Sequence, residues 1–412
     1  MNELPPGWIS TSIGQSASSM TGFPFASARF SGSGIRLIRG SNVKRGVLDW
    51  SPDIAMYWPA EDPSLRAFRL VDGDIVVAMD GALVGRSHTR ISPSDLPAYL
   101  VQRVARLRGM SIHQELLHQW IASDHFVQHV DSVKTHTAIP HISPRDIRDF
   151  QLQIPASVRE QQQIADALSD ADKLVAALER LIAKKQTIKQ GMMQQLLTGK
   201  TRLPGFAAPW KAVSVGDLME FRNGLNKASQ FFGSGTPIVN FMDVMNGPLI
   251  TTRDVGGRVT LTGDEIKRFS AKRGDIFFTR TSETVEEVGT AAVLIDDIPN
   301  AAFSGFILRG RPYSGKCDSR FLAYMFQISD VRKQITASAS CTTRALTNGK
   351  SLSQVVVQIP PVKEQVAITS VFEDVVREIA GLQRRLTKAH AIKRGMMQQL
   401  LTGRTRLPVL EP

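Results

Sequence analysis

IKQGMMQQLLTGKTRLP occupies residues 188–204 and IKRGMMQQLLTGRTRLP occupies residues 392–408, so the chain carries almost the same sequence twice. A match of this length within one chain indicates an internal tandem duplication. We therefore expect a protein of two equivalent halves, each ending in one copy of this stretch.

Each copy closes a run in which apolar residues alternate in steps of four and three, the spacing of a coiled-coil seam. The predicted seam residues are Ile164, Leu168, Ala171, Val175, Leu178 and Ile182 in the first run, and Ile368, Phe372, Val375, Ile379, Leu382 and Leu386 in the second. Gly199 and Gly403 follow as expected C-terminal caps. The pattern predicts two helices of roughly 38 residues, each about 57 Å long.

An apolar seam of this length needs a partner, and the other copy offers a matched one within the same chain. We expect the two helices to pack on each other. The alternative, that each helix packs separately on a globular neighbour, fits ordinary amphipathic spacing better than a strict heptad pattern.

The duplication extends beyond the helical runs. Trp8 near the start of the chain is matched by Trp210 after the first run, and Gly22 is matched by Gly224. Each half is therefore predicted to contain a globular domain followed by a long helix.

A Gly-Asp turn followed by an apolar strand is the clearest motif in both globular parts. VDGDIVVAMDG at residues 71–81 corresponds to KRGDIFFTRTS at residues 272–282. We interpret Asp74 and Asp275 as turn formers before buried strands, rather than as catalytic acids. The same comparison aligns residues 107–109 with 308–310 and predicts, in each half, a short helix (114–122; 319–328), a polar loop, and a strand ending at Pro155 or Pro360.

The composition favours a polyanionic partner. Fifty Lys and Arg against 38 Asp and Glu leave a formal net charge of +12, with a pI near 9.9. The 2 cysteines are too few for a disulfide framework, and no run of eighteen apolar residues occurs, so we expect a cytoplasmic protein without a membrane anchor.

Motifs of catalysis are missing from the sequence. It has no phosphate-binding G-x-x-x-x-G-K-[ST] loop, no glycine-rich dinucleotide fingerprint and no G-x-S-x-G elbow, and the Asn/Asp-Pro-Pro-aromatic tetrapeptide of amino-methyltransferases is absent. His136 and His141 lack the spacing of a metal site. We therefore predict no catalytic, cofactor-binding or metal-binding residue in this chain.

What remains is binding by loops that differ between the matched halves. Arg and Asn can read base edges, whereas Lys, Ser and Thr more often hold phosphates. Base contact, phosphate contact and no contact remain open for each side chain. The candidates are Arg39, Ser41, Asn42, Lys44, Arg45, Asp80, Arg86, Lys134 and His136 in the first half, and Asn240, Asp243, Arg280, Thr281, Ser282, Glu283, Thr342, Thr343 and Arg344 in the second.

The duplicated helix ends, the Ile-Pro and Glu-Gln pairs around each helix start, and the Gly-Asp-Ile turns together resemble the specificity (S) subunits of type I restriction-modification systems. This resemblance covers essentially the whole chain. It implies two target recognition domains that each read one part of a bipartite, asymmetric DNA sequence, separated by two antiparallel helices. It also implies two methyltransferase subunits as partners, with motor-nuclease subunits, and S-adenosylmethionine, ATP and Mg on those partners rather than on this chain.

We therefore expect a mixed α/β (α+β) fold with internal pseudo-two-fold duplication. The expected segments are residues 1–156 and 205–360 as recognition domains, and 157–204 and 361–412 as helical spacers packed as an antiparallel coiled coil. The alternatives are a coiled-coil adaptor that binds no DNA, a decayed specificity subunit, and a fused endonuclease-methyltransferase, which would need cofactor motifs that the sequence lacks.

Overall fold

A computed structural model describes residues 4–341 and 344–408, with the side chain of Cys341 excepted. The chain divides into two compact units. The first unit comprises Met1–Glu179 with Arg384–Pro412, and the second comprises Arg180–Gln383. Each unit therefore combines one globular part with segments of both long helices.

The first unit is built from short strands and helices around a mixed core. Its strands are β1 (Trp8–Ser12), β2 (Ala17–Thr21), β3 (Ile35–Ile38), β4 (Tyr57–Trp58), β5 (Ile75–Ala78), β6 (His88–Arg90), β7 (Ala98–Leu100), β8 (Val104–Gly109) and β9 (Gln151–Pro155), and its short helices are α1 (Ile13–Ser16), α2 (Gln114–Ile121), α3 (Asp124–Val133) and α4 (Pro144–Arg148). The strand orders are β2-β8-β5-β6, β4-β3-β7 and β1-β9. The antiparallel β1-β9 pair joins the start of the globular part to its last strand.

The second unit repeats this plan with local additions. Its strands are β10 (Lys211–Ser214), β11 (Met219–Asn223), β12 (Phe232–Val239), β13 (Leu249–Ile250), β14 (Arg258–Val259), β15 (Ile276–Thr279), β16 (Thr281–Ser282), β17 (Ala291–Leu294), β18 (Ala302–Phe303), β19 (Ile307–Pro312), β20 (Ser340–Cys341), β21 (Ala345–Leu346) and β22 (Val356–Ile359), and its short helices are α6 (Val215–Leu218), α7 (Phe241–Met245), α8 (Gly263–Arg268), α9 (Ser319–Met325), α10 (Ser329–Ala337) and α11 (Gly349–Ser353). The strand orders are β11-β19-β15-β17-β13, β14-β12-β18, β16-β21-β20 and β10-β22.

The Gly-Asp turns lead into the central strands β5 and β15, whose residues are all buried. Asp74 and Asp275 form the turns as predicted, because each carboxylate accepts a backbone N–H three residues upstream. Both carboxylates are also buried and bind an arginine of the neighbouring strand through two hydrogen bonds, Arg108 in the first unit and Arg311 in the second. The sequence comparison did not predict these ion pairs.

The ion pairs correct the alignment of the two halves. The residue equivalent to Arg108 is Arg311, and not Arg309 as the local sequence match predicts. Arg309 corresponds instead to Arg106, and each of these arginines donates from a buried position to a backbone carbonyl. The prediction was wrong because the connection from β15 to β19 in the second half is longer than the connection from β5 to β8 in the first half. The longer connection shifts the register of β19 relative to that of β8.

A second correction concerns the segments predicted as polar loops after α2 and α9. Residues Asp124–Val133 and Ser329–Ala337 are helices α3 and α10. Ser123 begins α3 by accepting a hydrogen bond from the Phe126 N–H, and Phe126 and Val130 are buried beneath the polar face. Only a few apolar residues anchor each helix, so the polar surface dominated the sequence pattern.

The two long helices are present as predicted. They are α5 (Val158–Leu196) and α12 (Val362–Leu400), each of 39 residues. Gly199 and Gly403 follow in the left-handed region, with φ of 69° and 66°, which is the conformation expected of C-terminal caps.

Most predicted seam residues are buried. Ile164 and Leu168 lie in the core of the first unit with Leu400 and Leu401, and Ile368 and Phe372 lie in the core of the second unit with Leu196 and Leu197. Of the remaining predicted positions, Val175, Leu178, Ile182, Ile379 and Leu382 are buried, and Ala171, Val375 and Leu386 are half-buried. Within each unit, the start of one helix thus packs both on the end of the other and on the globular core, which combines the two packing modes considered from the sequence.

Ion pairs between the helices are consistent with an antiparallel arrangement inside each unit. In the first unit Lys393 binds Asp172, and His390 lies 3.8 Å from Glu179, so the numbering rises along one helix as it falls along the other. In the second unit Lys185 Nζ donates to Glu378 at 2.8 Å.

The segment after each helix binds the start of the other helix. Arg406 donates to both carboxylate oxygens of Glu160 at 2.9 and 2.8 Å, and Glu160 also accepts from the indole of Trp8. Arg202 makes the corresponding pair with Glu364 at 2.6 Å for both bonds. These bonds raise the pKa of each arginine. In each unit, the arginine of the duplicated T-R-L-P sequence therefore connects the segment after one long helix to the start of the other long helix.

Candidate nucleic-acid interface

The ends of β5 and β15 place different side chains at the same position of the two units. Met79 follows β5, and Arg280 follows β15. Met79 donates its backbone N–H to the carbonyl oxygen of Arg103 at 2.9 Å, in the turn that leads into β8. Arg280 donates its backbone N–H to the carbonyl oxygen of Phe306 at 3.0 Å, in the turn that leads into β19. The scaffold is thus matched, whereas the side chains are not.

In the second unit this strand end lines an open cleft of about 640 Å³. Four residues predicted from separate loops of the sequence line it: Asn240, Arg280, Thr281 and Arg344. They are joined there by Asn226, Lys227, Ser229, Phe232, Ser304 and Phe306, among others. The cleft therefore combines cations, amide and hydroxyl groups, and aromatic rings.

The cations of the cleft differ in how far they are already paired. Lys227 Nζ donates to both oxygens of Glu265 at 2.9 and 2.7 Å. Arg344 is exposed and lies 3.9 Å from the carboxylate of Glu283. The guanidinium of Arg280 makes no hydrogen bond or ion pair with another residue in the part of the chain that the structure describes. Arg280 is thus the cation best prepared to take a new acceptor.

Two predicted residues of the second half serve the fold instead. Asp243 is buried and accepts the Asn240 N–H at 2.8 Å at the start of α7, and its desolvation raises its pKa. Ser282 is buried and donates to the Glu287 carboxylate. We therefore exclude Asp243 and Ser282 from the proposed interface. Thr342 and Thr343 lie outside the described residues.

The loop after β3 in the first unit is also held by its own polar groups. Asn42 is fully buried, accepts the Arg39 N–H at 3.1 Å and donates to the Asp49 carbonyl at 3.0 Å. The Arg39 guanidinium donates to the Ile54 carbonyl, and burial lowers its pKa. Asn42 is thus excluded as a base reader, and Arg39 is committed to the fold of its loop. Ser41 and Arg45 are exposed, and Lys44 lies 3.8 Å from Asp49.

Arg86 and Lys134 converge on a single carboxylate. Asp131 accepts from Lys134 Nζ at 2.6 Å and from Arg86 Nη2 at 3.0 Å, and these two bonds lower its pKa. Asp80 is half-buried and pairs through its backbone with His141, and His136 is exposed. Arg86 and Lys134 are therefore more fully paired than Arg280.

Two exposed turn residues were missed from the sequence. Arg103 and Phe306 occupy equivalent turn positions, and neither lies in a segment with a polar-loop composition. The matched Gly22 and Gly224 were the available signal, because both glycines abut these turns. A Cβ on Gly22 would lie 2.3 Å from Val101 backbone atoms, and one on Gly224 would lie 2.1 Å from the Ser304 oxygen.

The described residues include no group of three or more His, Cys, Asp or Glu side chains that could hold a metal ion. No helix in residues 4–341 and 344–408 has the length and apolar character needed to cross a bilayer.

Comparison with known proteins defines the class. The family described as type I restriction modification DNA specificity domain matches residues 65–190 and again residues 208–389. The two matches together cover more than half of the chain, which therefore belongs to this family. The resemblance to specificity subunits predicted from the duplicated helix ends is confirmed.

Individual relatives agree with this assignment. The chain is 30% identical over 194 residues to the type I restriction enzyme EcoAI specificity subunit of Escherichia coli, covering 46% of this chain and 32% of that subunit. It is 22% identical over 418 residues to the EcoKI specificity subunit of Escherichia coli strain K12, covering 97% of this chain and 88% of that subunit. The alignment with the EcoAI subunit thus spans only about a third of that relative's length.

A solved structure supports the fold. The crystal structure of a type I restriction-modification system S subunit from M. genitalium matches with a TM-score of 0.59 at 13% sequence identity, covering 97% of both chains. The predicted mixed α/β fold with tandem domains and two long helices is confirmed.

Proposed function

We propose that this chain is the DNA-sequence specificity subunit of a type I restriction-modification complex. Residues 1–156 and 205–360 act as two target recognition domains that each read one part of a bipartite, asymmetric site. The helical segments, residues 157–204 and 361–412, set the number of unread base pairs and recruit the partner subunits. The chain itself catalyses no reaction.

The partners in this proposal are double-stranded DNA, two methyltransferase subunits and motor-nuclease subunits, acting in the cytoplasm. S-adenosylmethionine, ATP and Mg belong to those partners. The absence of cofactor motifs from the sequence supports this division of labour. An internal duplication also suits a complex that carries two copies of one partner, because each half can present an equivalent surface.

The observation that carries the proposal is the matched strand end with unmatched side chains. Met79 and Asp80 follow the central strand of the first unit, and Arg280 and Thr281 follow that of the second. Met79 is buried in the core of the first unit, which leaves the half-buried Asp80 at this strand end. A carboxylate cannot make the same base contacts as a cation and a hydroxyl. Two related scaffolds with different reading groups would select an asymmetric target.

Electrostatics supplies the part of the affinity that does not depend on sequence. The net charge of +12 attracts the duplex, and phosphate contacts release bound counterions. We expect the assembled complex to bind DNA with an affinity that falls steeply as salt rises. A coiled-coil adaptor that binds only protein would show a flat salt dependence, and a decayed subunit would keep the salt dependence but lose sequence preference.

The substitution Arg280→Ala tests direct reading in the second unit. If the guanidinium reads a base, the variant complex relaxes its preference at one base pair of the half-site read by this domain, with a loss of about 1–3 kcal/mol of discrimination. If it holds a phosphate, affinity falls uniformly across sequences. Unchanged affinity and preference would exclude Arg280 from the interface.

The matched control is Lys333→Ala. Lys333 is a highly exposed cation of the second unit, lies on α10 outside the cleft, and sits 3.9 Å from Asp330. Removing it changes the net charge by the same amount without altering the cleft, so it should leave base preference unchanged.

A further inference from the structure

The two units share a β-turn whose third residue is exposed and whose first residue abuts a glycine. In the first unit the turn is residues 101–104, closed by a hydrogen bond of 3.2 Å from Val104 N–H to the Val101 carbonyl. In the second it is residues 304–307, closed by a bond of 3.1 Å from Ile307 N–H to the Ser304 carbonyl. We call these the paired turns.

The paired turns are held rigidly from two sides. The residue after each central strand donates its backbone N–H to the third residue of the turn, as described for Met79 and Arg280. The Gly22 and Gly224 backbones lie so close to the first turn residue that no side chain fits between them. A side chain on the third turn residue is therefore presented from a fixed backbone, which lowers the entropy lost on binding.

The side chains at the third position are Arg103 and Phe306, and both are exposed. Arg103 has φ of 68°, a left-handed conformation that is unfavourable for a residue with a side chain. Phe306 exposes 63% of its surface to solvent. Neither choice is explained by packing within its own unit, because an exposed Phe gains little from the core and a left-handed turn position suits Gly or Asn better.

In the second unit the exposed ring lies at the functional cleft. Phe306 lines it together with Arg280 and Asn240, and its carbonyl accepts the Arg280 N–H. Apolar and cationic groups that lie side by side suit the edge of a base pair in the major groove. Arginine can bind two acceptors of guanine, and an apolar ring can contact the thymine methyl group.

We propose that the paired turns carry the residues that distinguish the two half-sites, and that Phe306 makes an apolar contact with a thymine methyl group beside the base pair contacted by Arg280. The occupant of the surface is thus double-stranded DNA. The proposal rests on the proposed DNA-reading function and deepens it by assigning a base-contacting residue that the loop composition does not reveal.

The test uses the full chain with its methyltransferase partner, co-expressed in a host that lacks adenine methylation, followed by single-molecule sequencing of the methylated genome. The wild-type complex defines the motif. Phe306→Ala is expected to relax the preference for one T·A pair in the half-site of the second domain by about tenfold to a hundredfold, leaving the other half-site unchanged. Phe306→Arg, which installs the residue type of the first turn, is expected to shift that position away from T·A.

Tyr313→Ala is the matched control, because Tyr313 is an exposed aromatic residue of the same unit outside the cleft. It should leave every position of the motif unchanged. To detect loss of folding, binding of the Phe306 variants to the methyltransferase subunit is measured by size-exclusion chromatography, and it should equal wild type.

Three results would overturn the inference while the proposed function stands: an unchanged motif with Phe306→Ala, an equal relaxation with Tyr313→Ala, or a uniform loss of methylation with an unaltered motif. The last result would assign Phe306 to a protein contact. If the wild-type complex itself yields no bipartite motif, the proposed function fails instead.

Discussion

Replacing Arg311 with Leu should lower the free energy of unfolding of the second unit, because it leaves a buried carboxylate without its cationic partner. Asp275 is 1% exposed and accepts two hydrogen bonds of 2.7 Å from Arg311, whose own side chain is 31% exposed. Removing one partner of a fully buried pair costs about 3–5 kcal/mol, and partial access of water to the arginine site reduces this to roughly 2–3 kcal/mol. The Asp275 hydrogen bonds also raise the pKa of Arg311.

Hydrogen exchange measured by mass spectrometry resolves the two units. Peptides from β15 and β19 should exchange about 30–150 times faster in Arg311→Leu, and peptides from β5 and β8 should change much less. Arg108→Leu should reverse the pattern. Adding Asp275→Asn to Arg311→Leu should recover about 1–2 kcal/mol, because the neutral amide no longer needs a cation.

The control for this prediction is Arg377→Leu, which removes a surface pair with Asp374 whose side chains are 72% and 65% exposed. It should change the free energy of opening by less than about 0.5 kcal/mol. If Arg311→Leu behaves like this control, or if both units lose protection equally, the reasoning about matched buried ion pairs is wrong.

Three further predictions concern the interior of the units. Burial lowers the pKa of His88 to about 3, so its imidazole stays neutral in the folded state, whereas in the unfolded chain it takes up a proton below about pH 6.5. The free energy of unfolding should therefore fall by about 2 kcal/mol between pH 7 and 5. Urea unfolding should show a smaller fall for His88→Gln, and equal falls for the variant and the wild type would argue against this assignment. Leu178→Ala should cost about 2–4 kcal/mol in urea unfolding because the side chain is buried on α5, and a cost below 1 kcal/mol would mean that the site is not packed. Gly224→Ala should lower the free energy of unfolding by about 1–3 kcal/mol because its Cβ would lie 2.1 Å from the Ser304 oxygen. The control Gly256→Ala has open space around the new Cβ and should be nearly neutral. Equal thermal stability of these two variants would contradict the close approach of Gly224 to Ser304.

The long helices could be predicted because their signal is local. A heptad repeat is legible in consecutive residues, and the caps at Gly199 and Gly403 follow from the same local rules. The additional packing of Ile164 and Ile368 on the globular cores could not be read from spacing. It depends on strands that lie far away in sequence and bury the same helix face.

The candidate site was only partly predictable. Polar loops after matched strands did identify Asn240, Arg280 and Arg344, which line one cleft. Asn42 and Asp243 lie in polar loops of the same kind, but their side chains are buried and accept hydrogen bonds from backbone N–H groups. Short polar side chains close loops as readily as they contact ligands, so composition alone does not separate the two roles.

The exposed turn residues escaped prediction for a different reason. The local sequence match made Arg108 equivalent to Arg309, whereas the strand pairing in the two units makes Arg108 equivalent to Arg311. Register in a sheet depends on contacts between distant segments and on the length of the connection. Only with that register corrected does Arg103 correspond to Phe306.

The most direct test of the account is the methylation pattern set by this chain. Co-expression with the proposed methyltransferase partner in a methylation-free host, followed by single-molecule sequencing, should reveal modified adenines on both strands of a bipartite, asymmetric motif with a constant gap. A continuous or palindromic motif would contradict independent reading by two domains, and a complete lack of modification by an assembled complex would contradict the role in specificity.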